Sequence, residues 1–377
     1  MSPLRLHRWS KAASRVWDRT RTGLRLGSRL PLTIHAYRGF GSRNYLFMSG
    51  RILRDKSIHK AEHDSSWRNL VNTVKRFNSR EINNAQVRIH FAGEEFEVQT
   101  DAEGYYTLDT HLNTPLPPPP LEPPFWQRAQ VELVGIPGKK IYHKQDTEVL
   151  IPGAAASFGV ISDIDDTILK TYVTSWLKWR MIYLTLLKNA FSRQAFANVA
   201  AFFQALRRGP DGTDYNPFFY VSNSPWNLYD VLEMFLELNQ LPRGPIMLRD
   251  FGLPYEERPN EYRGHKHEQI IRILELYPKL PFVLIGDSGE KDTDIYRAVA
   301  GAYPGRIKAI YIRDVRSSGR AERVQGILDG INDIPNLLVP SYAAATVHAA
   351  KSGLLSIATY ERFQAKIEAL PTLRSGR

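Results

Sequence analysis

Four short apolar runs, Phe158 to Ile161, Phe218 to Val221, Phe282 to Ile285 and Ile307 to Ile312, divide the second half of the chain, with helical stretches between them. Each is too short for a buried helix, and the alternation of strand and helix predicts a parallel sheet flanked by helices. Open sheets of this kind bind ligands outside the carboxyl ends of their strands, so the residues after each run carry the functional information. The first run leads into Asp163-Ile164-Asp165-Asp166-Thr167, the second into Ser222-Asn223-Ser224, and the third into Gly286-Asp287-Ser288-Gly289-Glu290-Lys291-Asp292. Between the second and third, Lys266 stands at the head of a helix whose Ile270, Ile273 and Leu274 face the sheet.

Several carboxylates and one amine are thereby expected at one edge. Two carboxylates about 4 Å apart repel by roughly 4 kcal/mol at an effective dielectric near 20, so the cluster calls for a cation. The chain contains no cysteine, and His265 and His267 read as loop or helix-cap residues beside Lys266. Oxygen-only ligands select a hard divalent ion, and Mg²⁺ suits a site that shares its coordination with a substrate phosphate. Each feature has a plainer meaning alone: acidic pairs cap helices at strand ends, Ser222 caps the helix after Pro225, and Lys266 is a surface lysine.

The first third of the chain has a different texture. Leu32 and Ile34, Val87, Ile89 and Phe91, and Phe96 and Val98 alternate as half-buried strands do, which predicts a β-sandwich or small barrel over residues 30–155. Gln99 to Tyr106 reads as a turn between two strands, and Ser65 as the cap of a helix with Trp67, Leu70, Val71, Val74 and Phe77 on one face. Pro115 to Pro124 is a polyproline loop or an adaptor ligand.

Net charge is +11, yet residues 1–29 alone hold eight basic side chains against Asp18. With +7 at one end, the remaining 348 residues carry only +4, so no basic face need run through the globular part. Without an aromatic RNA-binding motif or zinc-finger spacing, nucleic acid is not an expected partner. In the leader, Leu6, Trp9, Ala13, Val16 and Trp17 recur at helical spacing beside a stripe of Arg5, Arg8, Arg15 and Arg19. Such a helix fits an anionic membrane surface, and equally a disordered arm, a helix docked on the protein or a transit peptide. No apolar run reaches about 18 residues, so expected membrane contact is peripheral. A cysteine-free chain fits a reducing, cytoplasmic location.

The strand-end residues together resemble the four motifs of the haloacid dehalogenase superfamily of phosphatases: Asp-x-Asp-x-Thr, a strand-end Ser or Thr, a Lys, and a Gly-Asp with a second acid nearby. The resemblance implies that Asp163 is the nucleophile, that Asp165 protonates the leaving alcohol and later activates water, and that Thr167 supports Asp165. It implies that Ser222 and Lys266 hold the phosphoryl oxygens. Mg²⁺ would be held by Asp163, Asp287 and the backbone carbonyl of Asp165, with Asp292 in support. The sequence is similar in particular to the actin-patch-type phosphatidate phosphatases of fungi and bacteria, through Val160 to Thr171, Asn216 to Leu228, Leu248 to Gly252, Leu284 to Tyr296 and Ile310 to Val315. Tyr37 to Gly41 and Gly50 to Leu53 look like that family's amino-terminal part.

The resulting expectation is an α/β fold, with a haloacid dehalogenase-like parallel sheet preceded by a β-sandwich. A basic amphipathic leader occupies 1–29, the β-sandwich with an inserted helix 30–155, the phosphatase domain 156–320 with a helical cap at about 170–208, and a helical tail 321–377. In the cap, Trp176, Trp179, Tyr183, Leu187 and Phe191 share a helical face, fitting a buried helix or a rim at lipid-headgroup level. Asp250 either fixes a loop or touches substrate. The implied substrate is phosphatidate or another lipid phosphate, cleaved to diacylglycerol and phosphate. A soluble sugar or nucleotide phosphate and a non-catalytic binding module are the alternatives.

Overall fold

In the computed structural model, residues 31–54, 80–118, 125–164, 193–249, 264–288, 291–314 and 318–369 are described. The leader, the helix expected after Ser65, most of the expected cap, Asp165, Thr167 and Asp250 lie outside them.

The first unit is a nine-stranded sheet built from β1 (Leu32–Ala36), β2 (Gly39–Ser42), β3 (Tyr45–Arg54), β4 (Arg80–Glu81), β5 (Gln86–Phe91), β6 (Glu94–Gln99), β7 (Tyr105–His111), β8 (Trp126–Ile136) and β9 (Lys139–Leu150). Its path runs β1-β3-β2-β9-β8-β5-β6, with β4 and β7 on β3. The expected sandwich thus takes the form of one continuous sheet that curls until β6 lies against β7. Val87, Ile89, Phe91, Val131 and Leu133 point inward, where Ile34, Met48, Ile52 and Tyr106 complete the core. The predicted turn before Tyr105 is present: Asp101 Oδ1 accepts from the backbone N–H of Glu103 and of Tyr105, each at 2.9 Å. Gly104 there has φ +81°, a conformation that favours glycine.

The second unit is a six-stranded parallel sheet of β10 (Gly159–Asp163), β11 (Phe218–Pro225), β12 (Ile246–Arg249), β13 (Phe282–Asp287), β14 (Ile307–Arg313) and β15 (Asn336–Val339), in the order β12-β11-β10-β13-β14-β15. Successive residues of a strand face opposite layers. Phe218 and Tyr220 point into one core with α1 (Arg193–Arg208), α2 (Tyr229–Leu238), α6 (Tyr342–Lys351) and α7 (Ile357–Glu368). Phe219 and Val221 point into the other with α3 (His265–Leu276), α4 (Asp292–Ala302) and α5 (Ser318–Asp329). Burial on both faces is why these strands are continuous apolar runs.

Two expectations are corrected. Residues 193–208, placed at the end of the cap, form a helix of the sheet's own layer, with Phe202, Phe203 and Leu206 buried against Phe218 and Tyr311. The segment 321–377, expected as a tail, supplies the sixth strand, since Asn336–Val339 pairs with Ile310–Arg313, and α6 and α7 then pack on α1. With only four residues, neither β12 nor β15 has the length of an apolar signal.

The two sheets meet along the chain from Tyr37 to Gly41. Tyr37 stacks on Trp226 with centroids 5.0 Å apart, Arg38 donates its backbone N–H to the Tyr229 hydroxyl at 2.8 Å and pairs with Glu233 at 3.0 Å, and the Tyr277 hydroxyl donates to Gly41 O at 2.9 Å.

Candidate active site

Counted from β10, the parallel sheet has the strand order 3-2-1-4-5-6, and its direction of winding reverses between β10 and β13. A crevice opens at the carboxyl ends of such a pair because the connections leave on opposite faces. Asp163 ends β10 and Asp287 ends β13. Ser162 pairs with Ile285, and Asp163 pairs with Val221 on the other side, so Asp163, Ser222 and Asp287 share one edge within a residue of one another in register.

Two helix starts complete the cluster. Asp292 is the first residue of α4, and its Oδ2 accepts the backbone N–H of Asp287 at 3.2 Å. Carboxylates are favoured there because the first helical N–H groups have no partner within the helix. Lys266 is the second residue of α3, and its Nζ lies 3.0 Å from Asp163 Oδ2 and 3.0 Å from Asp292 Oδ1. All of these groups are buried, with Asp163 5% exposed and Asp292 0%.

One carboxylate oxygen from each of Asp163, Asp287 and Asp292 lies within 4.8 Å of the others. Three carboxylates and one ammonium leave a formal charge of −2 in a water-poor site, where each carboxylate pair repels by about 3 to 4 kcal/mol at an effective dielectric near 20. A divalent cation fits the donor set: all three ligands are hard oxygens, and no His or Cys joins them among the described residues.

Neighbouring groups fix this geometry. Ser222 Oγ accepts the backbone N–H of Ser224 at 2.8 Å, where the pairing of β11 with β12 is irregular just before Trp226. The Tyr296 hydroxyl donates to Ile285 O at 2.9 Å, and burial, then the Asp292 and Asp163 carboxylates, hold that phenol neutral. His265 is not a member of the acidic cluster. Burial pushes its imidazole down to about 4, against a hydrogen bond to the Met247 backbone that ties α3 to β12, and nearby Arg249 and Lys266 oppose a further positive charge.

Of the residues singled out in the sequence, Asp163, Ser222, Lys266, Asp287 and Asp292 come to one sheet edge. Asp165 and Thr167 are outside the described residues. Sequence reasoning missed Asp294, buried two residues after Asp292 and paired with Arg323 of α5 at 2.6 Å, which ties the start of α4 to its neighbour. A second acid in the first turn of a predicted helix was the available signal.

The class defined by fold and site is an α/β protein with a buried, cation-ready carboxylate centre at the switch point of a parallel sheet. Residues 158–314 match the model of the catalytic domain of the phosphatidate phosphatase APP1. Over these residues the chain is similar to the catalytic domain of the actin-patch-type phosphatidate phosphatases. The Saccharomyces cerevisiae phosphatidate phosphatase APP1 is 36% identical over 156 residues, which is 41% of this chain and 25% of that protein. An uncharacterised Schizosaccharomyces pombe protein is 29% identical over 232 residues, 59% of this chain and 35% of its own. The chain therefore spans a quarter to about a third of the length of these relatives. A solved carbohydrate acetylesterase from Xanthomonas citri covers 86% of this chain and 75% of its own at 9% identity and a TM-score of 0.26, too loose a likeness to bear on fold or function.

Proposed function

We propose that the chain is a Mg²⁺-dependent phosphatidate phosphatase with a haloacid dehalogenase-like catalytic domain, releasing phosphate and diacylglycerol from a lipid phosphomonoester. The single observation that carries this is Lys266 bridging Asp163 and Asp292 at 3.0 Å beside Asp287, inside the stretch that matches the family's catalytic domain. A carboxylate nucleophile needs positive charge close by, both to approach an anionic phosphate and to stabilise the transferring group.

In this account a carboxylate oxygen of Asp163 attacks phosphorus, the ester P–O bond breaks, and Asp165 gives its proton to the departing alcohol oxygen. Water then attacks the phospho-aspartate at phosphorus and passes a proton to Asp165, so that phosphate leaves and Asp163 regains its charge. Ser222 and Lys266 hold phosphoryl oxygens, and Thr167 orients Asp165. Asp163, Asp287 and the Asp165 carbonyl, with Asp292 in support, would hold Mg²⁺, which when bound would neutralise charge on those oxygens. The acyl chains stay in the bilayer, so the enzyme works at an anionic membrane surface as a peripheral, cytoplasmic protein. No helix among the described residues is long and apolar enough to cross a membrane.

The test is phosphate release from phosphatidate in mixed micelles and from soluble sugar and nucleotide monoesters, each with Mg²⁺ and with a chelator. Preferred, metal-dependent turnover of phosphatidate is the expected result; equal or better turnover of the soluble esters removes the lipid assignment.

A further inference from the structure

Tyr142 is 68% exposed, the most open large hydrophobic side chain among the described residues. It stands on the β8–β9 hairpin, whose tip turns through Gly138 at φ +79°, and Lys139, Lys140, His143 and Lys144 around it are all exposed. Of these, Lys144 reaches Glu132 at 3.8 Å, while Lys139 and Lys140 enter no ion pair among the described residues. An exposed tyrosine ring flanked by lysines next to the turn of a two-stranded hairpin has the chemistry of a bilayer interface, where the ring sits at headgroup level and the ammonium groups meet anionic lipid.

The register places this tip on the catalytic side. Gln99 pairs with Gln86, Gln86 with Gly135, and Gly135 with Lys140, so the hairpin and the end of β6 lie at one end of the curled sheet. From Gln99 a single tight turn leads to Tyr105, whose ring lies 6.4 Å from Trp226. Trp226 follows β11 directly, at the edge that holds Ser222 and Asp163.

We infer that the β8–β9 hairpin is a membrane-docking element, with Tyr142 seated among the headgroups of an anionic leaflet and Lys139 and Lys140 held over its phosphates. For its purpose the inference rests on the lipid-phosphatase function proposed above. For its test it does not.

The chain has no cysteine, so Tyr142→Cys in the full-length protein takes one environment-sensitive fluorophore at the tip, and Glu361→Cys on α7 provides a control position. With vesicles of phosphatidylcholine and phosphatidylserine, the label at 142 shifts to the blue and the label at 361 does not; pure phosphatidylcholine leaves both unchanged. Unlabelled Lys139→Glu/Lys140→Glu binds the mixed vesicles at least roughly 30-fold more weakly than wild type, the loss set by two lysines at a charged surface, and hydrolyses a soluble phosphomonoester at the wild-type rate. A label at 142 that stays in water, or a double variant that binds as wild type does, overturns the inference. Vesicle docking without phosphatidate turnover leaves the hairpin assignment standing and removes the substrate.

Discussion

A methyl group on Gly286 would stand 2.5 Å from Asp292 Oδ2 and 2.9 Å from its Cβ, so the bare backbone at the end of β13 is what lets the head of α4 come close enough for Asp292 to accept the Asp287 N–H. Gly286→Ala must push α4 away. The expected cost is about 1 to 3 kcal/mol of stability from overpacking, and a fall in kcat of roughly 100-fold if Asp292 moves by about an ångström. Chemical denaturation and steady-state kinetics check both, and wild-type values for the two together would show that the contact is not limiting.

Lys266 places its ammonium between Asp163 and Asp292, two of the three carboxylates of the described site. Lys266→Met leaves Asp163 and Asp292 buried without it, a change that costs on the order of 3 to 5 kcal/mol. Measured in chelator, the urea midpoint should drop accordingly, and added Mg²⁺ should restore more of it than it adds to wild type. A loss below about 1 kcal/mol would place Lys266 in a wetter environment than the one described.

Much of this centre was legible in the sequence because its members sit at strand ends and helix starts, positions that apolar periodicity marks. Asp163, Ser222 and Asp287 each follow an apolar run, and Lys266 opens an amphipathic helix. The sheet's edges were not legible: Ile246–Arg249 and Asn336–Val339 are too short to give a period, and their pairing depends on neighbours far away in the chain. The layer helix Arg193–Arg208 adjoins the expected cap without a break in composition, and only its packing on Phe218 and Tyr311 assigns it to the core. Contacts between the two sheets, such as Tyr37 with Trp226, carry no local sequence signal at all.

His265 should make stability depend on pH. Its folded value, held near 4 by burial, lies below the 6.5 of an exposed imidazole, so between those values the unfolded chain binds more protons. Its contribution is therefore complete above about pH 6.5 and is lost as pH falls toward 4, amounting to a few kcal/mol at most. Urea titrations across that window, compared with His265→Asn, should show a shallower decline in the variant; parallel curves would remove this histidine as a cause.

Tyr37 stacks on both Trp226 and Tyr229, which joins the curled sheet to the segment that follows β11. Tyr37→Ala should lower stability by about 3 kcal/mol and raise KM more than it lowers kcat, because the end of β11 that carries Ser222 loses its brace. Tyr37→Phe keeps the ring and should behave as wild type. Equal kinetic behaviour of Ala and Phe variants would make the stack a matter of folding alone.

The proposed attack of Asp163 on phosphorus is put to the test by phosphate release from phosphatidate with wild type and Asp163→Asn under identical Mg²⁺. The expected variant is folded, with an unchanged circular dichroism spectrum, and its turnover falls by roughly 10³-fold or more. A variant that retains wild-type, magnesium-dependent turnover would contradict it.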